Sequence, residues 1–410
     1  MKTPTERLAS LDAFRGFDIL VMIFVNYIAG MPGIPFFLRH AETYMDTFTL
    51  TDVVFPGFLF IVGVAIPLSL EKMRAVGESL FKIIRRVVLR TAGLLFLGVL
   101  FVNERRYSEA ATGISRDLWY LLALLATVSL WMTYPKTEKP SRRRLYLGLR
   151  IAAAALLLIL VVIWRGQNPD GTFSGLRHSW WGILGMIGWI YLAGSLFYLL
   201  VKGDRAWLMG GLGFQVALYV GARHGALDFL GPVNDFVNVG SLFGSHLAIV
   251  TAGMLLGTLF TPASSGLKPR ARMVWMAVFS AGLLASGFLL RPLHGFSKNQ
   301  GTESYCLATA GICGLLLLLF YWLMDVIKLR SWAAFLRPIG RNPLLAYILP
   351  DIVRSLGDLI SGLLHIDLWK AVFPHWERGG VPGMLSAAAM TGVILLLTWA
   401  LTRQKVILKI

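Results

Sequence analysis

Charge is scarce in this chain. Asp, Glu, Lys and Arg make up 15% of its 410 residues, where a soluble domain carries about 25%. Cysteine is scarcer still, with Cys306 and Cys313 the two present. Seven positions apart in one apolar run, they would stand about 10 Å apart along a helix, beyond disulfide reach, and read as small core residues. The seven histidines are scattered, with no His-x-x-x-His pair and no cysteine pair at ligand spacing. No phosphate loop of Walker type and no dinucleotide fingerprint occurs. These absences argue against a disulfide scaffold, a metal-built fold and a nucleotide-loop enzyme. There is no soluble domain, low-complexity tract or clear internal repeat. The first apolar segment holds Arg15 and Asp18 and ends without a small-x-small pattern, so no cleavable signal peptide is expected.

What is abundant is apolar: 56% of the residues are hydrophobic. A helix needs about 20 mostly apolar residues to span a bilayer. Twelve segments qualify, near 13–30, 52–71, 84–102, 117–134, 147–164, 180–201, 206–222, 243–260, 273–290, 304–323, 341–358 and 384–402. The seventh is short and holds Gln215; the eleventh holds Asp351 and Arg354. The expected fold is an all-α, polytopic membrane helix bundle of about twelve spans, one domain over residues 1–410. Glycines at small-residue spacing, such as Gly182, Gly185 and Gly188, read as helix-packing surfaces.

The net charge of +17 sits in short loops between apolar runs, which is a pattern of topology and not a nucleic-acid stripe. With the N-terminus in the cytoplasm, 27 of the 39 Lys and Arg fall on the inner side and 12 on the outer. This bias predicts N-in and C-in, with an even number of helices. It puts Arg15, Arg85, Arg86 and Arg341 on the inner side. Outside lie His40, His178, His224, His294, Lys298 and Asn299.

Most connections carry basic or small residues. The stretch from Asn26 to Asp52 carries a histidine, carboxylates and an amide where a membrane ends. Ionisable groups at such a boundary are a functional-site hypothesis by default, and histidine exchanges protons near neutral pH. His40 and Asp52 can be a base and its orienting carboxylate. Asn26 reads either as interhelical glue or as an amide donor. Arg15, with Asp12 three residues earlier on the same helix face, reads either as a structural ion pair or as a contact to an anionic cytoplasmic ligand. Lys298-Asn299-Gln300-Gly301-Thr302-Glu303-Ser304 is a dense polar run entering the tenth segment, a solvated loop with a helix cap or a substrate contact.

The residues that stand out, Arg7-Leu8-x-Ser10-x-Asp12-x-Phe14-Arg15-Gly16, Val25-Asn26-Tyr27, His40-Ala41 and Thr49-x-x-Asp52-x-x-Phe55-Pro56-x-Phe58-x-Phe60-Ile61-x-Gly63, resemble the heparan-α-glucosaminide N-acetyltransferase family of the transmembrane acyltransferase superfamily. The likeness is dense over the first 65 or so residues. It is thinner near Lys298-Asn299 to Ser304-Tyr305 and near Gly340-x-Asn342-Pro343-Leu344-x-x-Tyr347. The resemblance implies transfer of acetyl from cytoplasmic acetyl-CoA to the amine of a terminal glucosamine across the membrane. It places the catalytic histidine on His40, the helix-1 asparagine on Asn26 and the helix-2 aspartate on Asp52.

The residue chemistry agrees. Acyl transfer to an amine needs a base and donors for the developing oxyanion, and a CoA thioester needs cationic phosphate contacts. The expected sets are His40, Asp52 and Asn26 for catalysis; Arg15, Arg85, Arg86, Arg341 and Asn342 for acetyl-CoA; and Lys298, Asn299, Ser304 and His246 for the acceptor. No metal and no nucleic acid are expected. The bilayer is a partner, a homodimer stays open, and a bacterial inner membrane with the His40 loop in the periplasm is the expected setting. Direct transfer and a covalent acetyl-histidine both stay open. The rival classes are a transporter of sugars or amino-sugar fragments and a structural membrane protein.

The orientation predicts opposite accessibilities at two loops. A membrane-impermeant maleimide should label Glu42→Cys in intact cells and reach Arg142→Cys only after permeabilisation; the reverse pattern would overturn the orientation.

Overall fold

The computed structural model describes residues 8–168, 170–180, 182–374, 376 and 378–409. Lys2 and Arg7, counted above among the inner cations, lie outside the described residues, as does Trp181. Each of the twelve apolar segments is helical. The helices are α1 (Ala9–Ile28), α2 (Leu50–Ala75), α3 (Leu80–Val102), α4 (Arg116–Trp131), α5 (Pro140–Ile163) and α6 (Ile183–Leu200). They continue as α7 (Arg205–Arg223), α8 (Gly240–Phe260), α9 (Pro269–His294), α10 (Glu303–Tyr321), α11 (Pro343–Leu364) and α12 (Gly380–Arg403). Two two-residue strands, Gly166–Gln167 and Phe173–Ser174, pair antiparallel between α5 and α6.

Local signals explain several starts. Asp204 caps α7 by accepting hydrogen bonds from Ala206 N at 2.8 Å and Trp207 N at 3.1 Å. Prolines occupy the opening turns of α5, α9 and α11, where a missing N–H breaks no bond. The sixth helix opens at Ile183, not at Trp180 as the apolar run suggests. The eleventh runs on to Leu364, about six residues beyond the expected end, and closes on His365 in the left-handed conformation.

Among the described residues, seven helices are both long and apolar enough to cross a bilayer: α2, α5, α6, α8, α9, α10 with its short extension to Val326, and α12. The chain is therefore an all-α membrane protein. Burial separates central from peripheral helices. The apolar window of α8 is 94% buried, that of α9 28%. The bare faces of α5 and α9 carry Leu158, Ile159, Val162, Val278 and Leu289, side chains suited to lipid.

Contacts divide the chain into two compact units built from interleaved stretches. The first takes Met1–Asp18, Phe36–Leu95 and Ile183–Phe335. In it α2 and α8 meet backbone to backbone. A methyl added at Gly63 would fall on the Val250 carbonyl oxygen, and one at Gly253 on that of Phe60. Small residues let membrane helices approach this closely when no hydrophobic effect drives them together. The α9–α10 contact repeats the device at Gly287 and Gly311. The second unit takes Ile19–Pro35, Phe96–Gly182 and Leu336–Ile410. Its core gathers Trp119, Tyr120, Leu157, Leu160, Trp164 and Ile348, and the Trp119 indole N–H donates to the Leu160 carbonyl at 3.0 Å.

Candidate active site

The first turn of α2 builds the site. Thr49 is the N-cap and Asp52 the third helical residue. Asp52 Oδ2 accepts from Thr49 N at 3.1 Å, Thr49 Oγ1 at 3.1 Å and Ala41 N at 3.0 Å. This reciprocal capping draws the preceding loop back onto the helix end. Thr49 Oγ1 also lies 2.6 Å from the Arg39 carbonyl, and Thr51 Oγ1 donates to that of Leu38 at 2.8 Å. His40 lies between these anchors, with its ring turned to Asp52.

His40 Nδ1 lies 2.7 Å from Asp52 Oδ1, with the carboxylate side chain 0% and the imidazole 48% exposed. A carboxylate at that distance can only accept, so in the neutral ring Nδ1 carries the proton and Nε2 the lone pair; Nε2 stands 3.5 Å from the Lys298 ammonium. The Lys298 ammonium approaches Nδ1 to 2.9 Å and Asp52 Oδ1 to 3.5 Å. An ammonium has no lone pair to accept the Nδ1 proton, so the favourable partners of Lys298 are Asp52 Oδ1 and His40 Nε2, each at 3.5 Å. Burial pulls the Lys298 amine below its ordinary value, and the Asp52 charge offsets part of that pull.

Lys298 arrives on the loop between α9 and α10, which is bound to the His40 loop at several points. Asn299 Nδ2 donates to Thr43 Oγ1 at 2.5 Å. Asp46 takes Phe296 N at 2.6 Å and Arg291 Nε at 2.9 Å, and the hydrogen bond from Phe296 holds its carboxyl below the usual range. Phe48 and Phe296 meet edge to face at 5.1 Å. The Tyr305 hydroxyl donates to the Asp52 carbonyl at 2.6 Å.

Of the expected acceptor residues, Lys298 and Asn299 stand at this site, while Ser304 and His246 are buried beneath the loop. Ser304 Oγ donates to the Gly295 carbonyl. His246 Nδ1 is 2.9 Å from the Ser241 carbonyl oxygen, at the end of a π-helical turn, Gly240–His246. Gly301, at φ +59°, rests on the His246 ring, and a Cβ there would fall against it. Asn26 is exposed in the last turn of α1, in the second unit.

Among the residues expected to hold CoA, Arg15 is 3.6 Å from Asp12, and Arg86 is 2.7 Å from Glu78. Arg85 and Arg341 are exposed. Asn342 is buried, and its amide is spent on the chain itself: Nδ2 reaches Thr402 Oγ1 at 3.1 Å and the Val406 carbonyl at 2.7 Å, and Oδ1 accepts from Leu408 N at 3.0 Å. Sequence reasoning missed the pairing of His294 with Glu303 and of Asp46 with Arg291. Glu303 stood in view within the polar run, but nothing in its spacing pointed to His294.

A family model described as a domain of unknown function (DUF5009) matches residues 7–228. The human heparan-α-glucosaminide N-acetyltransferase is 29% identical over 377 residues, covering 85% of this chain and 53% of the relative. The mouse protein of that name is 34% identical over 102 residues, covering 25% of this chain and 15% of the relative. These matches bear out the resemblance read from the motifs. The chain spans about half the length of the human relative.

The capping geometry makes Asp52 the anchor of the His40 loop. Asp52→Asn replaces one acceptor oxygen with an amide that clashes with its donors, and should cost about 1–3 kcal/mol. In detergent it should lower the melting temperature and speed tryptic cleavage after the exposed Arg39 several-fold; cleavage at the wild-type rate would contradict the anchoring role.

Proposed function

The chain belongs to the DUF5009 family, and from that membership, its likeness to the N-acetyltransferases and the His40–Asp52 geometry we propose that it is a membrane N-acetyltransferase. In this reading it moves acetyl from cytoplasmic acetyl-CoA to the amine of an extracytoplasmic, glucosamine-like sugar, with residues 1–410 acting as one domain of about twelve spans, N-in and C-in. The observation that carries the reading is a half-exposed imidazole held at 2.7 Å by a carboxylate wholly out of solvent. A structural ion pair has no need to keep its imidazole half open to solvent, whereas a general base must be reached by its substrate.

An amino sugar presents an ammonium, which must lose a proton before it can attack. One proton passes to water; His40 Nε2 takes a second from the nitrogen as it attacks, and Asp52 stabilises the imidazolium through Nδ1–H. The freed amine forms a bond to the thioester carbonyl carbon. The Lys298 ammonium, the cation beside the imidazole, is the contact for the developing oxyanion, and the resemblance assigns Asn26 a further amide donor. When the carbon–sulfur bond breaks, the imidazolium returns its proton to the departing thiolate, giving an amide and free CoA thiol with His40 as it began. Asn299 is read as an acceptor contact, with Ser304 and His246 supporting its loop. Arg15, Arg85, Arg86 and Arg341 are read as inner-face contacts to the CoA phosphates, with Asn342 holding the chain beside Arg341.

A transporter would consume no acetyl-CoA. Purified protein given acetyl-CoA and glucosamine should yield N-acetylglucosamine by mass spectrometry. His40→Ala should lower turnover by about 10²–10⁴-fold while CoA binding stays near wild type and a cooperative thermal melt shows that the protein is folded. A folded His40→Ala variant with near-normal turnover would remove His40 from the chemistry, and a wild-type protein that leaves acetyl-CoA intact would sink the enzyme reading.

A further inference from the structure

A second imidazole–carboxylate pair lies in the same unit. His294 ends α9 and Glu303 opens α10, and His294 Nδ1 stands 2.9 Å from Glu303 Oε1. The Glu303 side chain is 0% exposed and that of His294 10%. Glu303 Oε2 is buried with no hydrogen-bond partner, an arrangement that costs free energy. The positive end of α10 explains an acidic residue in its first turn; it does not explain one driven wholly out of solvent against a histidine.

The eight residues between them are the loop that carries Lys298. Ser297 N donates to Thr302 Oγ1 at 3.0 Å and Thr302 N to the Ser297 carbonyl at 3.1 Å, so the loop doubles back on itself just above the pair. The Tyr219 hydroxyl steadies the far side by donating to the Gln300 carbonyl at 3.2 Å. Tyr219 also presents its ring edge-on to His294 at 5.9 Å, and the His224 ring lies 5.7 Å away. At the tip, Lys298 reaches Asp52 Oδ1 at 3.5 Å. A lysine stem is flexible, and an ammonium stays at one place only if its backbone is fixed.

We propose that His294 and Glu303 are positioning residues: their hydrogen bond closes the base of the Gly295–Thr302 loop and so holds Lys298 against the His40–Asp52 pair. The consequence for turnover rests on the acetyl-transfer reading; the placement of Lys298 does not, and the two are measured separately. Competitive labelling of the full-length protein with isotope-coded acetic anhydride, read at Lys298 by mass spectrometry across pH, gives the midpoint at which that amine titrates. In the wild type it should lie below the ordinary 10.5, because the amine is buried. His294→Phe keeps a ring against Tyr219 and His224 and deletes the hydrogen bond, so the midpoint should climb toward 10.5, and labelling above the midpoint, where the amine is free in both proteins, should quicken several-fold. Glu303→Gln, whose amide oxygen still accepts from Nδ1–H, should stay near wild type. In the acetyl-transfer assay His294→Phe should lower kcat about 10–100-fold with KM for acetyl-CoA changed less than about twofold, and Glu303→Gln should be spared. An unchanged Lys298 midpoint and labelling rate in folded His294→Phe would overturn the proposal. So would loss of folding in both His294→Phe and Glu303→Ala, which would assign the pair to stability alone. A protein that transfers no acetyl at all would count against the proposed function and leave the labelling result to decide this one.

Discussion

A single carboxylate, that of Asp52, organises the region on which the functional reading depends. It is removed from water, and an isolated charge there would be prohibitively unfavourable. It is tolerated because it sits at the positive end of α2, accepts three hydrogen bonds from Ala41 and Thr49, and faces His40 and Lys298. Those same compensations give the site its shape. The donors that stabilise the charge are the backbone and side chains of the His40 loop, so satisfying Asp52 and orienting His40 are one event. Further along α2, Gly63 gives the close approach to α8.

The second carboxylate, Glu303, extends the scheme to the other loop. Both loops run into the first turn of a helix, both place an acidic residue in that turn, and both draw a histidine onto it. Asp46 bridges them through Phe296 N and Arg291, with Phe48 and Phe296 packed between. Within this polar network one buried oxygen of Glu303 has no hydrogen-bond partner. Residual unsatisfied groups in a well-packed polar network are the ones that call for a functional account.

Much of this was legible in the sequence, and the rest was hidden for a physical reason. Helices announce themselves by local hydropathy, so all twelve apolar segments were found. Helix ends were less exact where apolar character and helical conformation part company, as at Trp180 and beyond Asp351. His40 and Asp52 were legible because they stand twelve positions apart, across a short loop and the first turn of α2. Lys298 and His40 are 258 positions apart, and no spacing rule spans that distance; Lys298 entered through a polar run and a thin motif. Ser304, in the same polar run, and His246 both lie under the loop, because local sequence does not report which side of a loop faces the core. Asn342 was read from a motif, and its buried amide is committed to the chain's C-terminal stretch.

The central claim is that Asp52 holds His40 through Nδ1 and leaves Nε2 free to act. Nitrogen-15 NMR of histidine-labelled protein tests it most directly, with the His40 resonances assigned by their loss in a His40 variant. The account predicts that neutral His40 carries its proton on Nδ1, with Nε2 showing the shift of a bare nitrogen, and that Asp52→Asn abolishes this preference. A proton on Nε2, or the same tautomer mixture with and without the Asp52 carboxylate, would contradict it.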